Sequence, residues 1–248
     1  MTMVYRILIA AAALALVILF FSDGHRTLLP PGPTPPSWSV RADAPFVVGG
    51  YGDNFAYSGK TVRPLHGTLE LRYDPTNKTG IVSISVQTTK ESGPIQITAN
   101  RTLEGEVRLT STLRPSDRVL EDTHVFGSTG RGAATLPETL AALAGWSQFD
   151  LSAGGAPVAA ELSGEWALAE AIRRSDGSIR QSGLVYSPLL RDKTGFSNPK
   201  ETQFVLVVHS NTADPDNAPP YALALDLVFT QVTVEERPQQ TASRTAGS

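Results

Sequence analysis

The chain has 248 residues, a formal net charge of −3, 7% aromatic residues and no cysteine. Without thiolates, iron–sulfur clusters, CxxCH haem attachment, cysteine zinc sites, thiol catalysis and a lipid-modified cysteine anchor are all excluded. The interspersed charges leave no electrostatic footprint for nucleic acid: Arg101, Arg108, Arg114, Arg118 and Arg131 alternate with Glu104, Glu106, Asp117, Glu121 and Asp122, the pattern of a solvated face.

In chain order, the first signal is an export address. Arg6 precedes the unbroken apolar run Ile7 to Phe21, a cationic start followed by an apolar core that directs a chain to a membrane translocon. As a helix that run spans about 22 Å, short against a hydrocarbon layer of roughly 30 Å, which favours a signal peptide. The best small-residue cleavage candidate, Ser22-Asp23-Gly24, has an acid in its middle, which favours retention. Residues 1–28 are therefore a signal peptide or an N-terminal membrane anchor, with the body on the periplasmic or extracellular face, tethered to the cytoplasmic membrane if the run is kept. Residues 29–44, opening with Leu29-Pro30-Pro31-Gly32-Pro33, are expected as an extended Pro-rich linker.

From residue 45 to 236 the dominant period is two, predicting an all-β domain, a single antiparallel sandwich or an up-and-down or Greek-key barrel with one short helix. His66 to Tyr73 sets Leu69, Leu71 and Tyr73 against Thr68, Glu70 and Arg72, and the alternation recurs in Ile81 to Gln87, Ile95 to Ile97 and Val107 to Leu109. Turn chemistry at Asp74 to Gly80, Glu91 to Pro94 and Arg114 to Asp117 punctuates these runs. Leu136 to Gly145 reads as the short helix, with Thr135 as N-cap and Gly145 as the C-terminal stop. Trp146 to Leu151 and Pro157 to Leu162 read as a hairpin around Ala153-Gly-Gly-Ala156. Glu165 to Ile172 and Ser178 to Tyr186 read as another around Ser175-Asp-Gly177, strand being preferred to helix for the first of these segments. Phe204 to Val208 is expected as a strand buried on both faces and Tyr221 to Val234 as a long central one. Ser187 to Thr202 and Asn211 to Pro220 read as long loops, and residues 237–248 as a disordered tail.

Motifs for chemistry fail on their context. Ser197-Asn-Pro-Lys200, with Lys193-Thr-Gly195 and Lys78-Thr-Gly80, imitates the spacing used by penicillin-binding enzymes. A proline between Ser and Lys, in a run of turn residues, supplies no helix to bring the two together. No Gly-x-Ser-x-Gly elbow occurs, and Gly127 to Gly132 lacks the Lys-Ser/Thr of a phosphate loop. His66, His124 and His209 are the candidate metal ligands. No two share a local motif, so a copper or zinc site requires them to converge at one end of the sheet with Asp53 or Asp226. The plainer reading is three separate strand-end histidines. Asp226 interrupts a small, apolar strand face, which is simplest as the outer, solvated side, and Trp146 and Trp166 are expected in the core.

The sequence thus points to a non-enzymatic binding protein without a cofactor, an accessory or interaction subunit of a membrane complex. Its partner is a protein in or at the membrane, the membrane itself being reached through Ile7 to Phe21. The alternative is a β-barrel that carries a lipid, pigment or metal.

Overall fold

Alternation becomes strand along most of the chain described by the computed structural model, which comprises residues 37–51, 62–132, 136, 138–174, 198–217 and 220–237. In chain order the strands are β1 (Ser37–Gly50), β2 (Arg63–Pro64), β3 (His66–Asp74), β4 (Thr79–Gln87), β5 (Ile95–Thr98), β6 (Arg101–Leu103), β7 (Glu106–Leu113), β8 (Arg118–Val125), β9 (Thr139–Ala153), β10 (Ala156–Ala171), β11 (Asn198–His209) and β12 (Ala224–Arg237). The leader, the first part of the Pro-rich linker, Ser178 to Tyr186, Asp53 and the residues after Arg237 lie outside the described residues.

Eight strands close on themselves in the antiparallel order β1, β3, β4, β7, β9, β10, β11, β12 and back to β1. Of the two architectures expected, the barrel is therefore the one formed. Register shifts in the β9–β10 pairing, at Pro157/Ala159, Ala159/Leu162 and Leu168/Ala169, and in β1 at Val47/Gly49 give the local bends that closure needs. The β9–β10 hairpin turns on Gly154 and Gly155, whose φ values of +56° and +79° suit a two-residue loop of the primed type.

Three expectations are corrected, and the turn expected at Arg114 to Asp117 is present. Residues 37–44, expected as linker, are already strand in β1, paired with both β12 and β3. The helix expected over Leu136 to Gly145 is β9 from Thr139 onward, and the described residues contain no α-helix. Alanine-rich helix propensity is worth only tenths of a kcal/mol per residue and yields to pairing with β8 on one edge and β10 on the other. Residues 198–202, expected as loop, open β11. The turn at Arg114 to Asp117, closed by Asp117 N–H to the Arg114 carbonyl (2.9 Å) and Arg114 N–H to Asp117 Oδ2 (2.8 Å), does not reverse the chain. Strands β7 and β8 run the same way and share one long edge of β9 end to end.

The barrel interior is packed with side chains. Trp166 stacks on Phe204 with centroids 6.0 Å apart, and Phe204 meets Phe229 edge-on at 6.4 Å. Leu69, Leu71, Val82, Ile84, Leu109 and Leu227 fill the layers around them. Eight strands leave an interior just wide enough for such filling. Two bulky residues are accommodated by glycines: a Cβ on Gly145 would lie 2.2 Å from the Trp166 ring, and one on Gly164 would lie 2.2 Å from Phe149. One polar chain threads this interior, Ser111 Oγ donating to Ser147 Oγ (2.9 Å) and Trp166 Nε1 donating to the same oxygen (3.3 Å).

The end of the barrel where β1 finishes is plugged by the β5–β6 hairpin, which buries Ile95, Ile97 and Leu103 in the same core. Tyr51 N–H donates to the Gln96 carbonyl (2.9 Å) and fixes the plug to the barrel. At the opposite rim β1 begins, Ser37 pairing with Arg237. The outer wall of β3, β4 and β7 carries Thr68, Glu70, Arg72, Ser83, Ser85 and Arg108, so this wall is polar and the inside apolar, the reverse of a lipid-facing barrel.

Candidate functional site

A second core lies outside the barrel wall. Phe46, Val48, Val125, Phe126, Ala141, Ala144, Ala167, Ala169, Ile172, Val205 and Val228 point away from the interior and form a separate buried cluster with Leu136. Residues 126–132 fold into a tight strap here. Phe126 N–H donates to the Arg131 carbonyl (2.6 Å), Thr129 Oγ1 donates to the Phe126 carbonyl (2.7 Å), and Arg131 Nη1 reaches Thr123 Oγ1. Phe126 adopts φ +66° and ψ −175°, a backbone region that costs a side-chain-bearing residue of order 1–3 kcal/mol and persists only where surrounding contacts hold it. The segment with glycines at 127, 130 and 132 is thus a self-bonded structure.

Two charged residues are buried in this region and a third is half-buried beside them. Asp226 is 2% exposed and Arg173 is 1% exposed, with Glu165 nearby on β10. Register places Asp226 opposite Val207 and Val207 opposite Glu165, so the two carboxylates stand on one outward row with a valine between them. The strap covers Glu165, since a Cβ on Gly132 would come within 3.2 Å of Glu165 Oε2. Gln203, itself 2% exposed, pins the Arg173 backbone: its Oε1 accepts from the N–H of Ile172 (3.2 Å) and of Arg173 (3.1 Å), and its Nε2 donates to the Arg173 carbonyl (2.6 Å). Both Asp226 oxygens are buried and accept no hydrogen bond. Burial pushes its carboxyl up to about 7, with the Arg173 charge pulling the other way and Glu165 adding to the rise. Asp226 is thus on the outer face, as its strand parity implies, but that face is not solvated.

The three candidate histidines are not brought together. His66 opens β3 opposite Gln87; His124 lies on β8 opposite Leu140, with Nδ1 2.9 Å from Glu138 Oε1; His209 ends β11 opposite Ser163 and Ala224, its ring stacked on Tyr221 at 3.8 Å. Among the described residues no group of three or more His, Asp or Glu is placed to hold a metal ion.

At the plugged end, the described part of the β11–β12 connection, residues 210–217 and 220–223, is held by its own bonds. Ser210 N–H donates to the Leu223 carbonyl (3.0 Å), Ala222 N–H to that of Thr212 (2.9 Å), and Asn217 Nδ2 to that of Tyr221 (2.7 Å). It is tied to the barrel by Tyr51 Oη donating to Asp214 Oδ2 (2.8 Å) and Ser163 Oγ donating to Asn211 Oδ1 (2.7 Å). The hydrogen bond to Asp214 raises the Tyr51 phenol above its ordinary range. Asn211, Thr212, Ala213, Pro215 and Asp216 are left exposed on a fixed scaffold.

These features define a closed eight-stranded antiparallel barrel with a filled interior, an external second core and one ordered end loop. Compared with protein-family models, curated proteins and solved structures, the chain finds no match in any of the three.

Proposed function

We infer that this chain is an exported, non-enzymatic binding protein that is held at a membrane by Ile7 to Phe21 and serves as an accessory subunit by contacting a protein partner. The observation that supports this reading best is the polarity of the barrel. β1 begins at one rim with Ser37, and loop residues 210–217 and 220–223 stand at the other end, a strand length of about 45 Å along the fourteen residues of β1 at about 3.3 Å each. A tether at the first rim presents the second to partners, and a loop already fixed by hydrogen bonds loses little entropy on binding. Because Trp166, Phe149, Phe204 and Phe229 fill the interior, a ligand carried inside the barrel is the less favoured reading.

The test is mild-detergent purification of the tagged full-length chain from its own membranes, with mass spectrometry of what elutes, beside the variant Thr212→Arg/Asp216→Lys. A stoichiometric partner that the variant loses by about tenfold supports the reading. A chain that elutes alone, or a partner indifferent to the loop, contradicts it.

A further inference from the structure

The second core holds charges that do not cancel. Asp226 is 2% exposed, and neither of its oxygens accepts a hydrogen bond. Two charges act on it, Arg173 favouring the ionised carboxylate and Glu165 opposing it. With two acids against one cation, the set is neutral only while one carboxyl holds a proton, and an uncancelled charge away from water is costly. No other charge acts on Asp226 from the described strands around it. Its partners in register are Val207 on β11 and Gly49 on β1, and its neighbours along the same face of β12 are Ala224 and Val228. His209, diagonal to it on β11, is stacked on Tyr221 at 3.8 Å, with Nδ1 3.0 Å from the Ser210 carbonyl oxygen.

The strap 126–132 covers this set from the Glu165 side. Gly132 lies between the Phe126 ring and the acid: a Cβ there would come within 2.9 Å of the ring and 3.2 Å of Glu165 Oε2. The strap is bonded to itself, Phe126 N–H donating to the Arg131 carbonyl (2.6 Å), Thr129 N–H to the Phe126 carbonyl (3.2 Å) and Arg131 N–H to Thr129 Oγ1 (3.1 Å). It is held down by the buried Phe126 ring and by Arg131 Nη1 on Thr123 Oγ1. The positive φ of Phe126 is a conformation that lasts only while such contacts hold it. A self-bonded segment of this kind lifts as a unit and opens before the barrel does. At its base His124 and Glu138 form a separate pair, Nδ1 2.9 Å from Oε1.

We propose that the strap 126–132 is a proton-controlled lid over Asp226, Glu165 and Arg173: it is closed while the set holds its extra proton, and it opens to admit water when that proton is lost. Burial supplies the bias. The Asp226 carboxyl stands at about 7 when covered and returns towards 3.8 when wet, so the covered form is favoured at low pH and loses that advantage as pH rises through 7. By this linkage the ratio of open to closed strap rises about tenfold between pH 6 and pH 8. The lid uses no residue of the end loop, so it stands or falls apart from the partner contact inferred above.

The experiment is amide exchange on the full-length chain in detergent at pH 6 and pH 8, corrected for the intrinsic pH dependence of exchange and read by mass spectrometry in peptides from the strap and from β4. Strap amides are expected to exchange faster than those of β4, as local opening requires, and to lose about tenfold in protection from pH 6 to pH 8. Asp226→Asn should remove that pH dependence, and His124→Gln should leave it intact. Gly132→Ala, which sets a methyl against Phe126 and Glu165 at a φ of +83°, should open the strap at both pH values and bring the Asp226 carboxyl, followed by carbon-13 NMR, down towards its ordinary range. The two variants at 226 and 132 test the lid independently, so failure of either to fold leaves the other decisive. Strap protection equal at both pH values, a strap that exchanges only together with β4, a response that survives Asp226→Asn or vanishes with His124→Gln, or an Asp226 carboxyl unmoved by Gly132→Ala overturns the proposal.

Discussion

Removing the charge of Asp226 should make the stability of the protein nearly indifferent to pH between 5 and 8. The carboxyl is raised from an ordinary 3.8 to about 7, chiefly by burial. Because its folded pKa lies above its unfolded one, the folded state holds the extra proton between these values. Its contribution is therefore fully present below pH 4 and is lost as pH rises through 7. At 1.36 kcal/mol per unit, the span from pH 5 to pH 7 carries about 2.7 kcal/mol, and the whole shift about 4 kcal/mol. Asp226→Asn keeps the shape and deletes the ionisation, at the cost of placing an amide where no hydrogen-bond partner stands, about 1–3 kcal/mol independent of pH. The absolute stability of the variant is thus a balance, whereas its slope with pH is not. Urea denaturation followed by tryptophan fluorescence at pH 5 and pH 8 reads both. Wild type should lose about 2.7 kcal/mol across that interval and the variant under about 1 kcal/mol, other groups being common to both. Equal slopes in the two proteins would refute the placement of a buried, raised carboxyl at this position.

Further outcomes follow from the packing. Gly145→Ala sets a methyl 2.2 Å from the Trp166 ring, which Phe204 backs, and should cost about 1–3 kcal/mol or more with an altered near-UV tryptophan spectrum; an unchanged unfolding midpoint would contradict the packing. Ser147→Ala removes the acceptor shared by Ser111 and Trp166, so about 1–3 kcal/mol should be lost, and less of it in a background that already carries Ser111→Ala. Gln203→Leu strips the partner from two buried N–H groups and one carbonyl at Ile172 and Arg173. Hydrogen exchange at those two amides should accelerate well beyond that at the β11 strand amides of Leu206 and Val208, with a stability loss of about 3 kcal/mol or more.

Strand parity was readable from the sequence, while the pairing that closes the barrel was not. Leu225, Leu227 and Phe229 share the buried inner face that alternation assigns them, and Phe204 to Val208 is buried on both faces as its apolar run implies. Parity says which side a residue faces, not what covers that side. Asp226 faces outward but lies in a region packed by Phe126 and Ile172, residues that no local pattern connects to it. Gly145 shows the same limit. Its position after an alanine-rich run imitates a helix stop, while its structural role is to admit the indole of a residue on another strand. The turn at Arg114 to Asp117 has ordinary reversal chemistry, yet it joins two strands that follow one edge of β9, because β9 is long enough to pair with both. Residues 37–44 follow a proline run and look like its continuation; their alternation of Val40 and Ala42 with Arg41 and Asp43 was the signal available.

The central claim, contact with a protein partner through the end loop, is tested most directly by site-specific photo-crosslinking of the full-length chain in its native membranes. A crosslinker is placed at Thr212 on that loop or at Arg108 on the polar wall. The account predicts one discrete crosslinked species from position 212 and none from 108. No product from 212, or the same product from both positions, would contradict it.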